Sequence, residues 1–180
     1  MTRLSRRGFV AAFATAAAVP LAAAPRRAEA AATAPRVLRF DHLHTGERLE
    51  LEYFAAGSYL PDALDAANRL LRDFRTGHVG AIDPQLLDLL HRLAAATNTQ
   101  RPFQIISGYR SPATNELLRG KSRGVATHSL HMTGQAIDIR LADVPLAALR
   151  DIALAARAGG VGYYPGSNFV HVDTGRVRAW

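Results

Sequence analysis

Cysteine is absent from this chain of 180 residues. No disulfide can therefore stabilise the fold, and a metal site built from thiolates is excluded. Long apolar runs are also scarce, since only residues 10–24 form one. A run of about 15 residues is shorter than the roughly 20 that a transmembrane helix needs. Stability must come from an ordinary hydrophobic core, supplemented by any metal that the protein binds.

The first 30 residues have the pattern of an export signal. Residues 5–10 (SRRGFV) form a twin-arginine pattern, the apolar run follows, and residues 28–30 (AEA) fit a small-residue cleavage site. A membrane anchor is the alternative, which the short apolar run disfavours. We expect residues 1–30 to be a cleaved twin-arginine signal peptide. Residues 31–180 would then be one soluble periplasmic domain, with no membrane span after cleavage.

The net positive charge is small once residues 1–30 are excluded. The formal net charge of +7 includes five arginines and one acid within residues 1–30, which leaves about +3 on residues 31–180. That mild excess suits an anionic partner such as a cell-wall polymer. It is far below the charge of a typical nucleic-acid-binding surface, so we expect no nucleic acid among the partners.

Apolar periodicity predicts both strands and helices. Alternating residues predict hairpins over 36–54 and 161–173 and strands over 103–106 and 135–141. Helical spacing and capping residues predict helices from Pro61, after Asp83-Pro84, over 113–118 and over 145–157. This mixture indicates an α+β fold in which helices flank a small antiparallel sheet.

Three residues in the C-terminal third have the chemistry of metal ligands. His131 and Asp138 are separated by a turn at Gly134, and His171 lies in the apolar strand 169–172. A catalytic metal takes about three protein ligands and leaves a position for water, and imidazole and carboxylate suit zinc. Each residue also has an ordinary explanation as a loop histidine, an ion-paired acid or a hydrogen-bonded core histidine. Pairing of the two strands would favour a shared site.

The pattern around these residues is similar to the zinc signature of the M15 peptidase superfamily. It reads Ser129-x-His131-x-x-Gly134-x-Ala136-x-Asp138, followed by a histidine on a later strand. The stretches SGYRS (107–111), GGVGYYP (159–165) and FVHVDTG (169–175) resemble the murein endopeptidase K-like subgroup. The resemblance covers residues 36–180. It implies the zinc fold that D-Ala-D-Ala peptidases and the hedgehog signalling domain share.

The resemblance implies a Zn²⁺-dependent peptidase that hydrolyses cross-links or stem peptides of peptidoglycan, as an endopeptidase. It implies that His131, Asp138 and His171 are the zinc ligands. It also implies that Arg110 binds substrate and stabilises the oxyanion, which is chemically sensible because a guanidinium keeps its charge. We expect Ser129 to contact the substrate beside the ligand loop, and a turn cap is its simpler role.

The sequence leaves the general base open. Many relatives have an acid three residues before the last histidine, where this chain has Asn168. Asp173 lies two residues after His171, on the same strand face, so it is a candidate for the catalytic base or for a group that orients the ligand. His128 is the second candidate base, with a solvated loop histidine as its alternative.

Two other functions compete with the endopeptidase. A D,D-carboxypeptidase is the nearest enzymatic rival. A non-catalytic, zinc-containing module that binds cell wall or a protein is the second, because the same fold serves recognition in hedgehog. The amide of Asn168 in place of an acid is the feature that favours this second rival.

Overall fold

The computed structural model describes residues 33–121 and 124–180. The expected signal peptide, residues 1–30, lies outside the described residues. Among the helices that are described, none has the length and apolar character needed to cross a membrane.

Eight strands and four helices make up the described chain. The strands are β1 (Arg36–His42), β2 (Arg48–Ala55), β3 (Ser58–Tyr59), β4 (Phe103–Ser107), β5 (Ala136–Arg140), β6 (Gly160–Tyr164), β7 (Phe169–Asp173) and β8 (Arg178–Ala179). The helices are α1 (Pro61–Leu70), α2 (Pro84–Thr97), α3 (Pro112–Lys121) and α4 (Leu146–Ala156). Short 3₁₀ segments cover Leu130–Thr133 and Pro165–Ser167. The predicted mixture of helices with a sheet is confirmed.

The prediction of a small, antiparallel sheet is wrong. All eight strands join one sheet in the order β3-β2-β1-β4-β5-β7-β6-β8. Strands β1 and β4 run parallel, with Phe40 opposite Phe103, because α1 and α2 lie between them in the chain and allow a crossover. Strands β6 and β8 are also parallel. The two-residue strands β3 and β8 are too short to show alternation, so the sequence pattern does not reveal them.

Local signals fix the start of α2 as predicted. The Asp83 carboxylate accepts a hydrogen bond from the N–H of Gln85 at 2.9 Å, and Pro84 occupies the first turn. Asn98 ends the helix in the left-handed region with a φ of 52°. The buried face of α2 carries five leucines, which enter the main core.

Alternation along β5 and β7 separates the core face of the sheet from the face that carries the polar residues. The apolar residues of these two strands join the core with α2 and α4, and they are Ile137, Ile139, Val170 and Val172. Because neighbouring side chains on a strand point to opposite faces, Asp138 and His171 point away from this core.

A buried histidine ends β1. His42 is 1% exposed, and its Nδ1 accepts hydrogen bonds from the N–H groups of His44 and Thr45, each at 3.3 Å. Burial, helped by the neighbouring His44, lowers the pKa of His42. The folded protein therefore resists protonation at this site, whereas the unfolded chain takes up a proton near the ordinary pKa.

We predict that His42 makes the protein less stable in mild acid. Its folded pKa is lowered, so the unfolded state binds more protons and the free energy of unfolding decreases as the pH falls below about 6.5. His42→Asn keeps an acceptor oxygen and cannot titrate, so it should flatten this part of the profile. Urea unfolding between about pH 7.5 and about pH 5 measures the slope. The control is His78→Asn, because His78 is exposed and does not contribute to the pKa shift of His42; a wild-type slope in His42→Asn would contradict the prediction.

Candidate metal centre

Three segments of the chain bring His131, Asp138 and His171 together. His131 lies on the 3₁₀ segment Leu130–Thr133, Asp138 lies on β5 and His171 lies on β7. Asp138 is directly opposite His171 in the antiparallel pairing of the two strands. All three side chains are buried, and one potential ligand atom from each lies within 4.8 Å of the others. The structure thus gathers the residues that the resemblance implied as ligands.

The turn between His131 and β5 requires glycine. Gly134 has a φ of +68°, and a Cβ there would collide with the carbonyl oxygen of Ala81. The N–H of Gln135 donates to the carbonyl of Leu130 at 3.0 Å and closes the turn. This tight turn lets His131 fold back beside the strand that carries Asp138.

The three donor atoms form a compact triangle. His131 Nε2 lies 3.2 Å from His171 Nδ1 and 3.4 Å from Asp138 Oδ1, and His171 Nδ1 lies 2.9 Å from the same oxygen. Ligands at about 2.0 to 2.2 Å from a tetrahedral zinc are separated by about 3.3 to 3.5 Å. The donor chemistry therefore fits a zinc ion, and two of the three donor pairs would have to move slightly apart to hold it.

Hydrogen bonds on the outer side of each ring orient the two histidines. His131 Nδ1 donates to the carbonyl oxygen of Gly108 at 2.7 Å, which leaves a lone pair on Nε2. His171 Nε2 lies 3.1 Å from Asp173 Oδ2 and donates to it, which leaves Nδ1 facing the triangle. With both rings neutral, two nitrogen lone pairs and a carboxylate oxygen face one another, and a metal cation between them would satisfy all three. A proton on His171 Nδ1 satisfies the 2.9 Å contact with Asp138 Oδ1 in the same way, so a metal and a proton compete for this position.

Protons compete with a metal for this cluster. Burial raises the pKa of Asp138, but the two histidines outweigh it and hold that pKa well below its usual range. Burial lowers the pKa of His171, whereas its bonds to Asp138 and Asp173 outweigh that effect and raise it. Because ligand histidines must be neutral, metal affinity should decrease as the pH falls.

Asp173 supports His171 on the side away from the triangle. Its Oδ1 accepts from the N–H groups of Gly160 and Gly175 at 2.8 and 2.9 Å and from Arg178 at 3.1 Å. Its Oδ2 accepts from Arg178 at 2.7 Å and from His171 at 3.1 Å. Although burial raises the pKa of Asp173, these bonds outweigh it and hold the pKa well below the usual range. Of the two roles considered for Asp173, this geometry favours orientation of His171.

Arg110 places a cation beside the triangle. Its Nη2 lies 3.9 Å from Asp138 Oδ2, and its side chain is 12% exposed. Among the described residues, the guanidinium makes one long hydrogen bond, 3.4 Å to Asn115 Oδ1, and Nε has no partner. Burial lowers the pKa of Arg110, although a guanidinium remains charged. A buried cation with spare donors is suited to a carboxylate or an oxyanion.

The loop that carries Arg110 is tied to the segment after α1. The N–H of Tyr109 donates to the carbonyl of Leu71 at 2.7 Å, and the N–H and Oγ of Ser111 donate to Asp73 Oδ2 at 2.9 and 2.6 Å. Burial raises the pKa of Asp73, but these and neighbouring hydrogen bonds outweigh it and lower the pKa to about 2. The ionised Asp73 therefore fixes the start of α3 and, with it, the position of Arg110.

A cleft of about 360 Å³ opens over the triangle. His128 and Ser129 line it, and His128 is exposed to solvent. The carbonyl of Ser129 accepts from the N–H of Met132 at 3.0 Å, and its side chain makes no capping hydrogen bond within the described chain. Both residues therefore lie in the wall of the cleft that opens over the triangle.

Sequence analysis missed two residues of this cleft, Arg178 and Trp180. Both follow the last matched motif, on or just after the short strand β8. The one available signal is that Trp180 is the only tryptophan in the chain. The position of both residues in the cleft depends on the pairing of β8 with β6, which the sequence pattern does not reveal.

The sequence matches a known family over the whole range of the described residues. The family model, described as "Peptidoglycan L,D-endopeptidase MepK", matches residues 30–180. The chain belongs to this M15 peptidase family. The prediction of an M15 peptidase of the murein endopeptidase K-like subgroup is therefore confirmed.

Individual members of the M15 family are similar over most of their length. Peptidoglycan L,D-endopeptidase MepK from Escherichia coli (strain K12) and from Shigella flexneri are each 49% identical over 146 residues, which is 81% of this chain and 80% of the relative. The probable peptidoglycan L,D-endopeptidase MepK of Haemophilus influenzae is 45% identical over 147 residues, 81% of this chain and 79% of the relative. The family assignment therefore applies to the whole domain.

We predict that Asp173→Asn weakens metal binding about 10- to 100-fold, because His171 loses the carboxylate that fixes its tautomer and orientation. Competition with a chromophoric chelator measures the affinity, and thermal unfolding of the same samples reports the fold. Asp151→Asn is the matched control, since that carboxylate pairs with Arg150 on the exposed side of α4. Wild-type affinity in Asp173→Asn would contradict the orienting role.

Proposed function

We propose that the protein is a zinc-dependent L,D-endopeptidase that hydrolyses peptide cross-links of peptidoglycan, including those that join two diaminopimelate residues. The observation that carries the proposal is the convergence of His131, Asp138 and His171 in a cleft that also contains Arg110. Membership of the M15 family and the printed names of the relatives support the same activity. We also propose that the sheet has the zinc fold of D-Ala-D-Ala peptidases and of the hedgehog signalling domain.

We propose Zn²⁺ as the metal. Its ligands would be His131 Nε2, Asp138 Oδ1 and His171 Nδ1. When bound, zinc lowers the pKa of a coordinated water and polarises the scissile carbonyl. Asp173 keeps His171 in the tautomer that offers Nδ1. Gly108 does the same for His131 through its carbonyl oxygen.

Arg110 is assigned the binding of the substrate and the stabilisation of the oxyanion. Its guanidinium has spare donors beside Asp138 and is largely shielded from water, so its hydrogen bonds to a developing oxyanion are strong. The positive charge also suits the carboxylates of stem peptides. Ser129 lines the same cleft and is assigned a contact with the bound peptide.

His128 is assigned the proton transfer. Both oxygens of Asp173 are occupied by donors, so Asp173 is not placed to accept a proton from an attacking water. His128 lines the cleft, is accessible to solvent and has an imidazole, which can accept a proton and return it. It would accept a proton from the attacking water and return it to the leaving amine.

We also propose that the protein is exported by the twin-arginine route and acts in the periplasm. The pattern of residues 1–30 supports both statements. A peptidoglycan hydrolase exported by this route would meet its substrate in the periplasm. The zinc site would then have to remain intact in a compartment where this chain has no disulfide to support its fold.

We predict that the zinc-loaded protein converts muropeptide dimers linked through two diaminopimelate residues into monomers. A chelator should abolish the reaction and added zinc should restore it, because the ligand triangle needs a cation. Mass spectrometry identifies the products, and His131→Ala should be inactive while His44→Ala retains activity. Release of terminal D-alanine alone would favour the D,D-carboxypeptidase. Intact dimers with stoichiometric zinc would favour the binding module.

We predict that His128→Gln lowers kcat by about 100-fold or more, with little change in KM, because general-base catalysis typically contributes that much. Steady-state kinetics with the same dimers measures both constants, and zinc content should equal that of the wild type. His44→Gln, another exposed histidine, is the control. Wild-type kcat in His128→Gln would assign the proton transfer to a different group.

A further inference from the structure

Trp180 is fixed at the edge of the sheet beside the cleft. Its backbone N–H donates to the carbonyl of Val161 at 3.2 Å, and its carbonyl accepts from the N–H of Tyr163 at 3.1 Å. These bonds continue the parallel pairing of β8 with β6. The backbone of Trp180 is therefore held against the strand that neighbours β7.

Gly162 provides the space in which the indole lies. It is directly opposite His171 in the pairing of β6 with β7. A Cβ at Gly162 would lie 2.7 Å from the ring of Trp180 and 2.8 Å from that of Tyr164. The indole therefore covers bare backbone beside the metal-ligand candidate, and the ring centroids of Trp180 and His171 are 5.2 Å apart.

Side-chain contacts hold the indole in place although about half of Trp180 is exposed. Its Nε1 donates to the hydroxyl of Tyr164 at 2.6 Å, and the guanidinium carbon of Arg178 lies 4.8 Å from the ring centroid. Tyr164 in turn stacks on Phe169 with 4.6 Å between centroids. Even so, Trp180 is 51% exposed, and all three rings line the cleft. A rigid aromatic surface binds a ligand with little loss of side-chain entropy.

We propose that Trp180, Tyr164 and Phe169 form a subsite, the aromatic wall, that packs against the aliphatic stem of the substrate residue next to the scissile bond. The inference rests on the proposed function. A peptide carbonyl that reaches the donor triangle lies beside His171, and the indole lies against that ring. The wall offers ring surface, while Arg110 offers a cation whose Nε has no partner among the described residues. A diaminopimelate side chain, with methylene groups and an ionised end, matches this combination.

A specificity measurement tests the aromatic wall. Two peptide substrates with the same acyl side would carry either diaminopimelate or D-alanine on the amine side of the scissile bond. Trp180→Ala should lower kcat/KM about tenfold or more for the first substrate and little for the second, because only the first has methylene groups to pack on the ring. Trp180→Phe should retain most of the preference. Leu154→Ala, which shortens an exposed apolar residue of α4, should leave both values unchanged.

An unchanged substrate ratio in Trp180→Ala, with wild-type zinc content and melting temperature, would overturn the proposal. Fluorescence provides a readout that does not require hydrolysis, because Trp180 is the only tryptophan. A muropeptide monomer ending in diaminopimelate should protect the zinc-loaded protein from acrylamide quenching, and the monomer lacking that residue should not.

The two measurements separate this proposal from the proposed function. Protection from quenching in a protein that hydrolyses no dimer would reject the endopeptidase and keep the subsite. Hydrolysis of dimers without protection, and with an unchanged ratio in Trp180→Ala, would reject the subsite and keep the endopeptidase.

Discussion

The register of β5 against β7 is the constraint on which the site depends. It places Asp138 opposite His171 on one face of the sheet. The apolar residues that flank them along each strand point to the other face and enter the core. A slip of one residue would turn one strand over, so that a charged side chain would enter the core and a valine or isoleucine would face the cleft. Burial of the apolar face therefore fixes the register, and the register positions two of the three metal-ligand candidates.

Charge balance is the second requirement of the site. The triangle combines a buried carboxylate with two imidazole rings, and a buried carboxylate is costly unless positive charge compensates for it. Arg110 supplies part of that charge at 3.9 Å from Asp138 Oδ2, and a bound metal would supply the rest. Asp173 adds a further buried carboxylate, but Arg178 and two backbone N–H groups compensate for it. His171 thus lies between one compensated acid, Asp173, which is bonded to its Nε2, and one acid, Asp138, whose oxygen faces the donor triangle. This division explains why two aspartates near the same histidine would have different tasks.

How much the sequence predicts depends on whether a feature is local. The turn at Gly134, the cap at Asp83 and the alternation on β5 and β7 all act within a few residues, so they were predictable. The resemblance to the M15 pattern identified the residues that form the triangle, whereas residue type and spacing alone left an ordinary explanation open for each of them. The parallel pairs and the contacts of Asp173 depend on segments that are distant in sequence or too short to show a period. The orienting geometry of Asp173 became visible only when its donors were located.

Strand β8 links the two parts of the site that sequence analysis missed. It is only two residues long, yet Arg178 on it compensates Asp173, and Trp180 directly after it covers Gly162. Glycine at that position is what lets the indole approach His171, since a side chain there would displace the ring. Pairing of β8 with β6 therefore sets both the support of a metal-ligand candidate and the shape of the neighbouring cleft wall. A short edge strand can have this effect because the atoms it positions lie beside the register pair that defines the centre.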